Sequence, residues 1–340
     1  MSGDSTCVSV IIAAMNAEAT IGQAVASALG EPEVAEVIVV DDASQDGTVA
    51  AAGAADDASG RLKVITLERN HGPAGARNRG LQAATSPCVA VLDADDFFLP
   101  GRIGKLLASA GDDWDMVADD ILIVPEALKL QDISIAPLSD GGDRLMLDLE
   151  TFVLGNICQR SRPRGELGFL KPIFRSDFLR ENGLRYDGQI RLGEDYALYF
   201  RALMAGARFF IMPACGYVAI EREQSLSSCH SADDLLRLAA FDAERLASPS
   251  LTIGERRALK AHHSATMKRA VYAKALEVKR THGLLAGLGI MARHPLCIPY
   301  ILRETVSAKV GALVGRPRLP EVARGVRLLG IPQLNAGRAR

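Results

Sequence analysis

The sequence predicts an α/β fold, a mostly parallel central sheet flanked by helices, followed by a helical C-terminal extension. Three observations predict it. Short apolar, β-branched runs alternate with helix-spaced segments from residue 7 to about 125, the pattern that winds a parallel sheet through right-handed crossovers. Two of these runs stop abruptly in acids, Asp41-Asp42 and Asp93-Ala94-Asp95-Asp96, which places the carboxylates where a parallel sheet opens its ligand crevice. After Ser231 the strand pattern ends and helical spacing takes over. At 340 residues, 48% hydrophobic and 24% charged, the chain is globular and has core enough for one large domain or two.

In order, residues 7–14 (CVSVIIAA) read as a buried strand, and 17–29 as a helix on the spacing of Ile21, Ala24, Val25, Ala28 and Leu29. Residues 36–40 form a second strand, 48–58 a helix and 62–67 a third strand. Residues 73–84 form a helix with proline near its start, where proline is tolerated. Residues 88–92 are the fourth strand, with a helix over 100–109, and 116–124 add one more strand. The stretch 125–164 reads as loop-rich. Helices are expected at 176–182 and 193–205, the second stopped by Gly206, then short strands at 207–212 and 216–220. Residues 233–246 and 255–280 are expected to be helical.

Composition excludes several classes. The six cysteines are scattered without a CxxC pair, which argues against a zinc cluster or disulfide framework and fits a reducing, cytoplasmic setting. No signal peptide and no transmembrane helix are predicted. The net charge of −2 hides an asymmetry: residues 260–340 carry fifteen Lys and Arg against three Asp and Glu, which leaves −14 for the rest. A basic tail suits an anionic surface, and nucleic acid is not the expected partner. Residues 283–302 are apolar but carry Arg293, His294, Pro295 and Pro299 in their middle. The segment is too interrupted to span a bilayer and is suited to lie in the interface of an anionic leaflet.

The chemistry gathers at the strand exits. Alternate side chains of an extended segment share a face, so Asp93 and Asp95 are expected to point at one hard divalent cation. After the first strand comes Ala14-Met15-Asn16-Ala17-Glu18, with no glycine-rich turn, which removes nicotinamide, flavin and Walker-type sites. Asp42 is placed to accept from a base N–H or a ribose hydroxyl. In Asn70–Gly80 small residues allow close helix–sheet packing, and Arg77 is placed to bond a phosphate or the crevice carboxylates. Glu194-Asp195 opens a predicted helix. A nucleotidyltransferase would need a basic glycine-rich loop after the first strand. A glycoside hydrolase would need two carboxylates flanking one bond, whereas these acids fall at distant strand ends.

Asn16, VVDDASQDGT, GPAGARNRG and LDADDF occur in an order that resembles the nucleotide-binding half of family 2 glycosyltransferases, inverting enzymes of the GT-A fold. The resemblance covers about residues 7–230. It implies a GT-A catalytic domain over 1–230, with a nucleotide-sugar half to about 125 and an acceptor half to 230, and a helical basic extension over 231–340. It implies a nucleotide-diphosphate sugar donor, a UDP-hexose such as UDP-glucose, and Mn²⁺ or Mg²⁺. Matched by position, Asp42 corresponds to the uracil-side acid, Asp93 and Asp95 to the DxD pair with Asp95 the main metal ligand, and Asp96 extends that pair. Ala14, Asn16, Arg77, Ala94 and Lys171 fall against the donor. Asp195 corresponds to the base that takes the acceptor proton, with Glu194 supporting it. One departure stands out: the family's Pro-Thr/Ser-Tyr-Asn after the first strand is here Ala-Ala-Met-Asn, without the aromatic that lines the base pocket.

The GELGFLKPIFR and RLGEDYALYFRAL strings and the Gly216-Tyr217…Ser225–Ser227 segment resemble, more narrowly, bacterial exopolysaccharide glycosyltransferases of the succinoglycan side-chain type. That implies a saccharide acceptor such as a polyprenyl-diphosphate-linked glycan, met at the inner face of the plasma membrane. His230 follows the last segment as a candidate third metal ligand. The rival expectation is a catalytically inactive GT-A scaffold in a polysaccharide-assembly complex.

Overall fold

In a computed structural model the described residues are 7–126, 144–157, 166–221, 231–313 and 327–328. They fall into two compact units, one of residues 1–149, 164–221 and 326–340, the other of 150–163 and 222–325.

The first unit is built on a ten-stranded sheet. Strands β1 (Val8–Ala14), β2 (Val34–Asp41), β3 (Leu62–Thr66) and β4 (Cys88–Asp93) alternate with helices α1 (Ile21–Leu29), α2 (Thr48–Ala54) and α3 (Gly72–Ala83). They lie in the order β3-β2-β1-β4, all parallel. The order reverses between β1 and β4, and a doubly wound sheet opens its crevice at such a switch point. The runs that read as buried strands are buried: Val8, Val10, Ile11, Ile12, Val37, Ile38, Val39 and Val40 are fully enclosed. Helix α3 packs on β1 and β2 through Ala76, which joins Ile38 and Val40 in one apolar cluster. A β-carbon on Gly80 would sit 2.3 Å from Ile11 Cγ2, so a glycine at 80 is required by the depth of this contact.

The remaining strands are β5 (Phe97–Phe98), β6 (Met116–Pro125), β7 (Leu145–Leu147), β8 (Ile173–Arg175), β9 (Phe209–Glu221) and β10 (Arg327–Leu328). The sheet continues β4-β8-β6-β9-β5, with β7 on β9 and β10 on β6. β6 and β9 run with the first four strands, and β8 runs against both of its neighbours. Helices α4 (Arg102–Ala110), α5 (Leu149–Gly155), α6 (Ser176–Glu181) and α7 (Glu194–Met204) complete this part of the chain, α5 lying almost wholly in the second unit.

The structure corrects several expectations. The two short strands expected over 207–220 are one long strand, β9. Its pairing skips from Met212 opposite Asp119 to Cys215 opposite Asp120, and the extra residues break the alternation that marks a single strand. The region 125–164, expected to be loop, holds β7 and α5. α1 begins only at Ile21, and α2 ends at Ala54, short of Ala58, whose φ of 61° is incompatible with continuing the helix. Most relevant to chemistry, β4 ends at Asp93: Ala94 and Asp95 form a turn closed by the Asp96 N–H on the Asp93 carbonyl at 3.1 Å. The extended-segment argument that put Asp93 and Asp95 on one face therefore does not apply.

The second unit is helical: α5, α8 (Ala232–Leu246), α9 (Ile253–His282), α10 (Leu284–Arg293) and α11 (Ile298–Leu313), with a 3₁₀ turn at Pro295–Cys297. α8 and α9 each start earlier than the apolar pattern suggests, because capping boxes hold their first turns, Ser231 with Asp234 and Thr252 with Glu255. Between them a buried Asp242 carboxylate meets His262 Nδ1 at 2.7 Å. Val271, Cys297 and Ile301 form the core that seats α10, the 3₁₀ turn and α11 on α9.

Candidate functional site

The site lies at the carboxyl ends of β1, β2 and β4. Ala14 pairs with Asp41 on one side of β1, and Ala13 pairs with Asp93 on the other. Two strand spacings thus separate the acids after β2 from those after β4, about 10 Å.

On the β2 side, the Asp42 N–H donates to the Ala14 carbonyl at 2.8 Å, and Asp42 Oδ1 accepts from the His71 N–H at 2.7 Å. The turn before α3 thereby fastens this buried carboxylate. Asn16, in the left-handed region at φ 50°, ties the β1 exit to the β2 exit. Its N–H donates to Ser44 Oγ and its Oδ1 accepts from the Gln45 N–H, both at 2.9 Å. Ala43, next to Asp42, is also left-handed at φ 62°, a conformation an alanine adopts only under constraint. Met15, where the sequence resemblance implies an aromatic, is half exposed at this rim.

On the β4 side five charged groups meet. Arg77, buried on α3, donates to Asp93 Oδ1 at 2.7 Å and to Glu194 Oε1 at 2.9 Å, and lies 3.5 Å from Asp195 Oδ1. Lys171, equally buried, places Nζ 2.7 Å from Asp195 Oδ2 and 3.1 Å from Asp93 Oδ2. Glu194 and Asp195 open α7, where the helix N-terminus favours negative charge, and Gly193 at φ 76° supplies the left-handed turn into it. Two cations thus hold three carboxylates together. Burial works against ionising Asp93, but Lys171 and Arg77 outweigh it and hold its carboxyl well below the usual range. Burial likewise opposes the charge on Lys171, and Asp195 and Asp93 overcome it and raise the ammonium above its ordinary value. Glu194 moves the other way: burial, then the neighbouring Asp195, push it up.

Asp96 takes another direction. Its Oδ2 accepts from the Tyr217 hydroxyl at 2.7 Å and its Oδ1 from the Ile220 N–H at 2.9 Å. Burial, Asp93 and Asp95 together push its carboxyl well above the ordinary range. The structure therefore joins Arg77, Asp93, Lys171, Glu194 and Asp195, sets Asp42 and Asn16 on the other flank, and anchors Asp96 beneath the turn. His230 lies outside the described residues.

Sequence reasoning missed three supports. Tyr186 lies under the Arg77 guanidinium, 5.3 Å from ring centroid to Cζ, and Asn78 clamps its backbone in both directions at 2.8 and 2.9 Å. Tyr217 accepts from the Asp93 N–H at 3.1 Å while donating to Asp96. Arg102, fully buried between Phe98 and Tyr217, pairs with Asp119 at 2.7 Å and donates to the Lys171 carbonyl at 2.7 Å, while Asp119 accepts from the Gly216 N–H. The Gly-Tyr at 216–217 was the one visible signal. An isolated arginine in a helix's first turn and a tyrosine in a loop carry none.

The donor set suits a hard cation held mainly by a ligand's phosphates. Both oxygens of Asp93 face cations, and no cluster of three His, Cys, Asp or Glu able to hold a metal occurs among the described residues. Mg²⁺ and similar ions are commonly held by one or two carboxylates plus substrate phosphates, which Asp95 with a diphosphate would supply.

Residues 9–141 match the family model for glycosyl transferase family 2. The chain is 45% identical over 310 residues to the succinoglycan biosynthesis protein ExoU of Rhizobium meliloti, covering 89% of this chain and 88% of that one. It is 36% identical over 101 residues, 29% of this chain and 39% of the relative, to the Escherichia coli UDP-Glc:alpha-D-GlcNAc-diphosphoundecaprenol beta-1,3-glucosyltransferase WfgD. Among solved structures it resembles Staphylococcus aureus TarS 1–349 in complex with UDP, at TM-score 0.55 and 22% identity over 82% of this chain and 74% of that one. It also resembles the mannosyltransferase PcManGT of Pyrobaculum calidifontis in complex with GDP-Man and Mn²⁺, at TM-score 0.55 and 17% identity over 92% and 89%. The two structures share the GT-A-like fold described above, a mixed α/β unit on a mostly parallel sheet.

Proposed function

The chain belongs to glycosyl transferase family 2, and from that premise we propose that it transfers a hexose, with inversion, from a UDP-sugar such as UDP-glucose to a saccharide carried on a polyprenyl diphosphate in exopolysaccharide assembly. The 45% identical relative is a succinoglycan biosynthesis protein, and WfgD by its name uses UDP-glucose and a diphosphoundecaprenol-linked acceptor. The observation that carries the reading is Lys171, whose ammonium bridges Asp93 at the strand exit and Asp195 at the helix start, making one cluster of a donor-side and an acceptor-side acid.

Asp42 and the Asn16 turn receive the uracil and ribose, with Met15 offering an apolar rim in place of the family's aromatic. The diphosphate lies toward Ala14, Ala94 and Asp93, where Arg77 and Lys171 offset its charge. Asp95, together with Asp93, would hold a Mn²⁺ or Mg²⁺, and that ion would help offset the same charge. The acceptor oxygen attacks the anomeric carbon as the bond to the diphosphate oxygen breaks, so the configuration inverts. The hydroxyl proton passes to Asp195, whose position Lys171 holds, and Glu194 supports the helix start. UDP leaves with the electron pair of the broken bond. A lipid-borne acceptor sets this at the cytoplasmic face of a membrane, with 1–230 as catalytic domain and 231–340 as a basic extension.

The test is turnover of a panel of UDP-hexoses with Mn²⁺ or Mg²⁺ and a synthetic polyprenyl-diphosphate saccharide. Transfer that is lost in Asp195→Asn supports the reading. Donor binding without transfer or hydrolysis across the panel would instead make the protein a scaffold.

A further inference from the structure

We propose that the angled pair α10–α11 is a membrane-docking element, whose outer face enters the interface of an anionic lipid leaflet. Leu284–Arg293 and Pro295–Val306 meet at 104°, so the two helices form an elbow. The inner side of the elbow is fully used. Cys297 and Ile301 are buried against Val271 of α9, with Ile290, Met291 and Tyr300 packed around them, and Gly287 approaches the Ala275 carbonyl so closely that a β-carbon would lie 3.0 Å away. The outer side carries large apolar groups left in water: Leu285 and Leu296 are 84% and 88% exposed, and Leu284, Leu288, Leu302 and Val306 are also exposed. Single exposed apolar side chains are ordinary. Six on two successive helices and the turn between them are not.

Charge identifies the occupant. A lone exposed cation would say little, but here Lys279, Arg280 and His282 end α9, and Arg293, His294 and Arg303 stand on the elbow itself, all exposed. Only Glu277 and Glu304 oppose them over 276–306, and Glu304 is paired with Arg303. Apolar side chains flanked by cations fit a surface that is anionic at the headgroups and apolar beneath. Among the described residues no single helix is long and apolar enough to cross a membrane; α10 and the segment after it reach that length and apolarity only when taken together, and the 104° bend between them keeps them from forming one straight span. The purpose of the element rests on the lipid-borne acceptor proposed above, while its evidence does not.

The test is co-sedimentation of the full chain with vesicles of phosphatidylcholine alone or mixed with phosphatidylglycerol, without donor or acceptor. Binding is expected to the anionic vesicles at low salt and to fall steeply at high salt. Leu285→Glu with Leu296→Glu should weaken it at least about tenfold. Arg293→Glu with Arg303→Glu should weaken it without touching the apolar face. Circular dichroism melts matching the parent show that both variants fold. Absence of binding to anionic vesicles at low salt would overturn the proposal, as would a dimer in sedimentation velocity that the leucine variant dissociates, since the face would then belong to a second copy. UDP-sugar turnover in solution is measured separately, so a failure of the docking element and a failure of the transferase reading are distinguishable.

Discussion

The Tyr217 hydroxyl donates to Asp96 Oδ2 at 2.7 Å and in the same position accepts from the Asp93 N–H at 3.1 Å, so one phenol on β9 holds both ends of the Asp93–Asp96 turn. Tyr217→Phe keeps the ring and removes the bridge, leaving a buried carboxyl oxygen and a backbone N–H without this partner. A loss of about 1–3 kcal/mol is expected for each group left unsatisfied. UDP affinity measured calorimetrically should lose its Mn²⁺-dependent part and keep its Mn²⁺-independent part. Unchanged unfolding free energy together with unchanged Mn²⁺ dependence would show that the bridge does not hold the turn.

Asp195→Asn preserves an oxygen for Lys171 to donate to while removing the proposed proton acceptor. Transfer should fall about 10²–10⁴-fold, the range of a lost general base, with UDP affinity nearly unchanged. Single-turnover assays and calorimetry separate the two, and parent-like transfer to the true acceptor would end the assignment.

Asp95→Ala and Asp42→Ala should fail in opposite ways, because the acids stand on opposite flanks of β1. The first should abolish metal-dependent donor binding by removing the proposed hard oxygen ligand. The second should weaken UDP and UDP-sugar alike and leave metal stoichiometry intact, since Asp42 is fastened by the His71 N–H on the β2 side. An Asp42 variant that loses affinity only for the sugar moiety would contradict its placement beside the uracil.

Glu36, buried within β2, provides a pH prediction away from the site. It accepts from Ser9 Oγ at 2.6 Å, from the Thr85 N–H at 2.7 Å and Oγ1 at 2.8 Å, and from Lys63. Burial opposes its charge, but Lys63, Ser9 and Thr85 outweigh burial and lower its carboxyl to about 2. A carboxyl depressed in the folded state stabilises it fully above the ordinary value of 4.5 and loses that contribution as pH falls toward 2. Glu36→Gln should therefore cost about 1–3 kcal/mol at neutral pH, and the difference should shrink between those two values. Urea titrations across that range check it; a difference independent of pH would refute it.

Local pattern determined much of this protein before any tertiary contact was known. The first four strands and three helices follow from runs of β-branched residues and from the spacing of Ile21, Ala24, Val25, Ala28 and Leu29, because strand and helix periods are properties of adjacent residues. Acids that end buried strands belong at the sheet's mouth, because an apolar interior cannot hold them. That reasoning located Asp42 and Asp93 and, with the ordered motifs, the family. Tertiary structure alone decided the rest. It put β8 antiparallel between β4 and β6, joined two expected strands across a bulge, and turned the chain at Ala94-Asp95 where an extended strand was expected. It brought Lys171 to Asp195 across 24 positions, Arg77 to Glu194 across 117 and Tyr217 to Asp96 across 121. Periodicity states which face of an element is buried and not which side chain it will meet. Partners so distant in the chain are chosen by the order of strands in the sheet, which is where the charge balance of the site is set.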